Sequence, residues 1–485
     1  MMRNMAIVLT ALLAGCSLAP KFERPESETP VQFKELTPAE RGNWKTAQPA
    51  EEQPRGEWWR AFHDPTLDQL EADAIAANQT LKAAAARVSQ ARALVGVAKA
   101  DRIPHIDAGF GPSRAKPSGT SLGLPPGTDV APFTTWRGLL TVSYEVDLFG
   151  RISDNINAAR SDYEGSEATF RSVQLALQAD VAQTYFALRE TDEELSLLRN
   201  TVGLREDSAR LLQRRFDLGD IGELDVARAR TELATTRSDA IALERQRAQL
   251  EHALAVLLGK PPASFALDPA PLASGMPAIP AGLPSSLLER RPDIRQAEQN
   301  LIAANADIGV AKAAYFPRIS LTAALGFESA ALSDLFKRTS RTGAIGADMT
   351  LPIFNAGRIR NQVARAEAFQ REALSSYEKS ILVGFQEVEN ALIDRTKFSQ
   401  AREVQASNVA ALQRFRDLAA LRYKEGATIY LEVANAEQSL FNAQLAYVAT
   451  QSQLFQSYAN LYKAMGGGWV AQVEELAAKS GDALN

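Results

Sequence analysis

The sequence predicts a mixed α+β membrane protein made of two tandem copies of one unit, whose membrane strands must be completed by other chains. Three observations predict it. A block of residues recurs at a fixed offset, segments of about ten residues alternate apolar with polar, and a heptad seam runs unbroken through one very long helical segment. The chain has 485 residues, 46% hydrophobic and 23% charged, so it can bury a core and is not disordered. Length alone suggests about three domains; the repeat overrides that. Net charge is −5 and no basic run stands out, which removes most of the weight from a nucleic-acid role. One cysteine and three histidines exclude a disulfide framework and Cys/His zinc clusters.

The first segment reads as an address. Arg3 gives a short positive region, residues 6–14 (AIVLTALLA) a short apolar one, and Leu13-Ala14-Gly15-Cys16 a small-residue end. That order is a secretory signal, too short to span a membrane as a helix. It also resembles the bacterial lipobox, which implies that Cys16 receives diacylglycerol and, after cleavage, an N-acyl chain; several acyl chains make a stable anchor where one does not. By the same resemblance, Ser17 in place of Asp favours sorting to the outer membrane. No run of 18 apolar residues follows. An irregular proline-rich leader, 20–65, comes next.

The repeat fixes the order of the remaining elements. Gly96-Val97-Ala98-Lys99-Ala100 returns as Gly309-Val310-Ala311-Lys312-Ala313, with Pro104 answering to Pro317, an offset of 213. Later the offset is 207: Arg215-Phe216 match Arg422-Tyr423, Gly219 matches Gly426, Val226 matches Val433, and Gly259 matches Gly466. A loop absorbs the difference, and a Pro/Ala/Gly-rich stretch, 261–284, joins the copies. Each copy reads as helix, strand, loop, strand, very long helix, turn, helix. The first helix is expected over 66–102, rich in alanine and straight-chain residues. In the long one, over 151–216, Ile152, Ile156, Ala159, Tyr163, Ser166, Phe170, Val173 and Leu177 form the seam, and no proline interrupts it. It would reach about 100 Å. The flanking helices 66–102 and 222–258, about 55 Å each, stacked end to end would match it, which suggests helical staves of equal height.

The strands carry the membrane argument. Over 136–148, Trp136, Gly138, Leu140, Val142, Tyr144, Val146 and Leu148 share one face, opposed by Arg137, Thr141, Ser143, Glu145 and Asp147, with Leu139 the exception. In the second copy Ile345, Ala347, Met349, Leu351 and Ile353 oppose Thr342, Gly346, Asp348 and Thr350, and Ile319, Leu321, Ala323, Leu325 and Phe327 line the strand after Pro317. The segment after Pro104 is weaker, with Ile106, Ala108 and Phe110. Any one of these suits a half-buried soluble sheet; four of them behind a lipobox suit a transmembrane β-barrel. Four strands cannot close, because membrane backbone must be fully paired. Two chains would give eight strands and three would give twelve.

In these motifs the chain resembles the TolC-like outer-membrane efflux protein family, and more closely its NodT/OprM-type lipoprotein branch. The resemblance rests on the lipobox with Pro20, Trp58-Trp59…Phe62-His63-Asp64-Pro65…Leu67, and Asp147-Leu148-Phe149-Gly150-Arg151. It rests further on Arg291-Pro292-Asp293-Ile294…Ala297-Glu298, Pro352-Ile353-Phe354…Gly357-Arg358 and Tyr462-Lys463-Ala464…Gly466-Gly467-Gly468-Trp469. It implies a homotrimer: a twelve-stranded β-barrel, four strands per chain, in the Gram-negative outer membrane, continuous with a long periplasmic α-helical barrel. It also implies an exit duct for drugs or other small toxic molecules, working with a periplasmic adaptor (membrane fusion) protein and an inner-membrane transporter of the resistance–nodulation–division type. The chain then divides into a signal peptide (1–15), a lipid-anchored leader (16–65), a first repeat (66–260), an equatorial linker (261–284), a second repeat (285–468) and an equatorial tail (469–485).

Candidate residues follow from this frame. Cys16 is the lipid anchor. The helix turns Gly219-Asp220-Ile221-Gly222-Glu223 and Gly426-Ala427-Thr428-Ile429 are helix caps and, by the resemblance, the tips that dock the adaptor. Asp417 and Arg422, near the second turn, are the best candidates for a pore constriction, but the family's acidic positions are not clearly reproduced there and a solvated charged face is the weightier reading. Trp136, Leu140, Val142, Tyr144, Val146, Ile319, Leu321, Leu325, Phe327, Ile345, Met349 and Leu351 are expected to face lipid. Trp58-Trp59 is read as packing of the leader on the outer belt. No catalytic constellation, nucleotide loop or metal site is expected, and no cofactor beyond the lipid. Alternatives are the same duct used for type I protein secretion or metal export, or a periplasmic coiled-coil scaffold lipoprotein.

Overall fold

The computed structural model describes residues 17–25, 33–35, 57–273, 275 and 291–467. Cys16, the signal segment, the tail 469–485 and part of the linker lie outside them. Seven α-helices and four strands are described: α1 (Pro65–Ala77), α2 (Gln79–Ala100), β1 (His105–Ala115), β2 (Phe133–Val146), α3 (Arg151–Asp217), α4 (Glu223–Leu257), α5 (Pro292–Ala313), β3 (Arg318–Ser329), β4 (Arg341–Thr350), α6 (Arg358–Lys424) and α7 (Tyr430–Ala464).

The chain forms two compact units. One gathers Arg87–Glu167 and Gln296–Glu378 with the start of the leader; the other gathers Ala168–Arg295 and the chain from Lys379 onward, with the preceding residues up to Ala86. The first unit holds one antiparallel sheet in the order β1-β2-β3-β4. Sequential neighbours pair throughout, so β1 and β4 are open edges.

α3 and α6 are each 67 residues long, about 100 Å, and run from one unit into the other. The start of α3 explains one of the motifs. The Asp147 carboxylate accepts from the Ile152 and Ser153 amides at 2.9 and 2.8 Å, capping α3. Arg151 then donates two bonds to Glu145, at 2.7 and 3.0 Å, tying the helix to β2.

The helix expected over 66–102 is two helices. Asn78 leaves helical geometry (φ −58°, ψ 129°), its Oδ1 accepts from the Leu81 amide at 2.9 Å, and its Nδ2 donates to the Leu257 carbonyl at 2.9 Å. A short polar side chain thus supplies a cap that a straight helix has no use for.

The core of the second unit is aromatic. Trp58 is fully buried and stacks on Tyr462 with centroids 5.3 Å apart, and Phe62, Phe186 and Phe455 pack beside them. The Trp58-Trp59 pair is therefore packing, as expected, and it packs into this core. Asp64 caps α1 and accepts from the Tyr185 hydroxyl at 2.6 Å. Arg291 is buried and reaches Asp293, Glu387 and the Ala464 carbonyl.

Candidate functional site

Side chains directly opposite in an antiparallel pair share a face. The register places Leu140 opposite Ala108 and Leu325, Val142 opposite Ile106 and Ala323, Tyr144 opposite Leu321, and Val146 opposite Ile319. It carries on through Ile319–Met349, Leu321–Ala347 and Ala323–Ile345. Across these pairs one face is therefore apolar on all four strands, with Arg114, Ser329 and Arg341 only at its far end, and it holds every expected lipid-facing residue except Leu351. Leu351 follows the last paired residue, Thr350, and precedes Pro352, which has no amide to continue a ladder. The apolar face is open in the chain: Leu325 is 66%, Met349 68% and Ile345 90% exposed.

The opposite face carries Arg137, Thr141, Ser143, Glu145, Arg318, Glu328 and Asp348. Arg137 bonds Glu328 through Nε at 3.1 Å, and Glu145 takes Arg318 at 3.1 Å as well as Arg151. Such a sheet, apolar on one side and ionic on the other, is of a kind suited to a boundary between lipid and water.

The two helix turns are built alike. Gly219 and Gly426 hold φ of 75° and 73°. In the first, the Gly219 amide donates to Phe216 O and the Asp220 amide to Arg215 O; in the second, Gly426 donates to Tyr423 O and Ala427 to Arg422 O. Both are Schellman caps, which require a left-handed residue and so favour glycine. The two hairpins pack through Leu212, Val226, Ala229, Tyr430 and Ala434. Arg215 bridges them, with its guanidinium bonded to Asp220 at 2.6 Å and to the Tyr423 hydroxyl at 2.6 Å. Burial pushes the Tyr430 hydroxyl up to about 12, so it stays neutral. Ile221 packs partly against this core, Gly222 precedes the first turn of α4 and Glu223 opens it, and Thr428 bonds Glu432. Leu218 and Ile429 stand 84% and 67% exposed.

Asp417 lies on the last turns of α6 and pairs with Arg416 at 2.9 Å, while Arg422 pairs with Glu432 at 3.6 Å. Asp417 and Arg422 thus have separate ion-pair partners among the described residues. Sequence reasoning did not find Arg205, which is buried on α3 and donates to the Glu232 carbonyl, Thr236 and, at 2.5 Å, Gln438 of α7. An arginine in a polar stretch of helix carries no signal of burial; its three acceptors come from two other helices.

The outer membrane efflux protein family model matches residues 70–260 and 283–467. This chain belongs to that family. It is 35% identical over 467 residues to the toluene efflux pump outer membrane protein TtgF of Pseudomonas putida, covering 96% of each chain. It is 33% identical to the probable outer membrane lipoprotein SilC of Salmonella typhimurium, over 97% of this chain and 99% of that one. In structure it is similar to the Campylobacter jejuni CmeC outer membrane channel, with TM-score 0.86, 27% identity, and coverage of 93% and 95%, and to the outer-membrane channel OprN, with TM-score 0.84, 30% identity, and coverage of 94% and 100%. This efflux protein is the outer-membrane channel of an efflux pump, and its sheet is the part suited to the membrane.

Proposed function

We propose that three copies assemble into one duct, with twelve strands closing a barrel and the long helices extending from it as staves. The observation that carries this reading is the apolar face held in register across four strands with both edges open. Unpaired membrane edges are not tolerated. An eight-stranded barrel is filled by its own side chains, so a passage lined by Arg137, Glu145, Arg318, Glu328 and Asp348 calls for twelve strands. Exposed apolar residues on the helices, Leu94 and Val97 on α2 and Leu382 on α6, offer further surface for neighbouring copies.

In this reading Cys16 carries the lipid anchor, consistent with the lipoprotein name of one relative. The Gly219–Glu223 and Gly426–Ile429 turns receive a periplasmic adaptor that links the duct to an inner-membrane transporter of the resistance–nodulation–division type. Asp417 and Arg422 narrow the closed passage. The cargo is small apolar or amphipathic toxic molecules, the class for which relatives are named (toluene, solvents, antibiotics). The duct is passive and its energy comes from the transporter.

Accumulation of a fluorescent dye and an antibiotic and solvent panel, compared between a deletion strain and the same strain complemented, tests the cargo. Accumulation should rise on deletion and fall on complementation. No change across the panel would remove the small-molecule reading and turn attention to secreted protein or metal ions.

A further inference from the structure

The first described residues of the leader lie bonded along α3 and α5. The Ser17 hydroxyl donates to Asp154 Oδ1 at 2.7 Å. Burial raises the Asp154 carboxyl, opposed by the Ser17 hydroxyl and the Leu18 and Ala19 amides, which favour its charged form, while Oδ2 closes no hydrogen bond. Asp154 is only 1% exposed. One step on, Asn305 Nδ2 donates to the Pro20 carbonyl at 2.7 Å, and Arg24 makes a two-pronged bond to Glu298 at 2.6 and 2.9 Å. Glu298, Asn305 and Gly309 sit seven and four residues apart, on one face of α5.

Gly309 makes room for this segment. A Cβ there would stand 2.1 Å from Asp154 Oδ2 and 2.7 Å from the Ala19 nitrogen. The internal repeat supplies the comparison. Its twin in the first copy, Gly96, has nothing within 4 Å. The twins of Asn305, Glu298 and Asp154 are Arg92, Ala85 and Asn361, so neither carboxylate is repeated. The helices are duplicated; the groups that hold the leader occur once.

We propose that Ser17–Pro25 is a docked strap, that Asp154, Asn305, Glu298 and Gly309 form its slot, and that the slot sets the place where residue 16 leaves the folded body. This rests on the reading of Cys16 as the anchor: the lipid would then be held at one point of each copy instead of trailing on a loose leader. Asp154 is a positioning residue in this scheme, since it holds the residue next to the anchor and not the lipid.

Trypsin tests the strap on the full-length purified protein. The Lys21–Phe22 bond lies inside the strap, and the next basic residue, Arg24, is protected by Pro25. The native chain should be cut slowly at Lys21, because a bond must leave its docked geometry to enter a protease. Gly309→Ala should raise the rate about tenfold or more by pushing Ala19 from the slot, while Gly96→Ala should stay within about twofold of native. Arg24→Glu should also release the strap, and adding Glu298→Arg should restore protection, which decides the matter if Gly309→Ala does not fold. Equal rates in native, Gly309→Ala and Arg24→Glu proteins, or failure of the charge exchange to restore protection, would overturn the strap. The mass of the released N-terminal fragment reports separately whether Cys16 is acylated, so the anchor reading can fail while the strap stands.

Discussion

Glu190 and Glu194 lie one turn apart on α3. Burial first, and then the neighbouring Glu190 carboxylate, push Glu194 up to about 7; burial also raises Glu190, against a hydrogen bond from Ser452. A carboxyl whose folded value lies above its unfolded one binds its proton more tightly when folded. Its cost to stability is therefore absent below about 4.5, grows as pH rises, and is complete above about 7. Glu194→Gln removes the ionisable group. The variant should gain a few degrees of Tm at pH 8, on the order of 1 kcal/mol, and little at pH 4.5. A native melting curve whose pH dependence is unchanged by the substitution would remove Glu194 as its source. This pair was not legible in the sequence: two glutamates at helical spacing read as a solvated face, and only the packing of α7 against α3, with Ser452 beside Glu190, makes them half-buried.

Among the elements, the strands were the most legible and the helix breaks the least. Alternation at period two needs no partner to be read, and pairing then set Val142, Ala323 and Ile345 side by side. A face that meets lipid is intolerant of charge in a way that its reverse is not. Val142→Arg should cost about 2–4 kcal/mol at the middle of the membrane, while Thr141→Arg, one residue along on the ionic face, should cost little. Urea titration of the folded barrel in lipid vesicles measures both. Equal tolerance at the two positions would favour a sheet that never meets lipid. The division of the first helix at Asn78 was hidden for the opposite reason. Alanine-rich sequence on both sides favours helix, and the break is stabilised by the Leu257 carbonyl, some 180 residues away in the chain.

At the scale of the molecule, the prediction concerns copy number. The protein extracted in mild detergent should have about three times the chain mass of 52.6 kDa, by native mass spectrometry or by light scattering corrected for detergent. A dimer would return the eight-stranded alternative, and a monomer would leave β1 and β4 unpaired, which a membrane does not permit. The family motifs that support the copy number are also legible as physics in the fold. The Asp147–Arg151 run caps α3 and ties it to β2, Arg291 draws the start of α5 to the end of α7, and the Trp58–Asp64 run fills an aromatic core and caps α1.

By itself, the sequence determined what depends on near neighbours in the chain: the alternation of the strands, the unbroken long helices, the glycine turns, and the duplication that sets their order. These follow from local periodicity and from backbone geometry that only certain residues adopt. The tertiary structure decided what depends on groups brought together from far apart. It joined four separate strands into one apolar face, buried Trp58 and Arg205, raised Glu194, and held Ser17 against Asp154, 137 residues away. None of these has a local signature, because each is set by the field and the space that other elements supply.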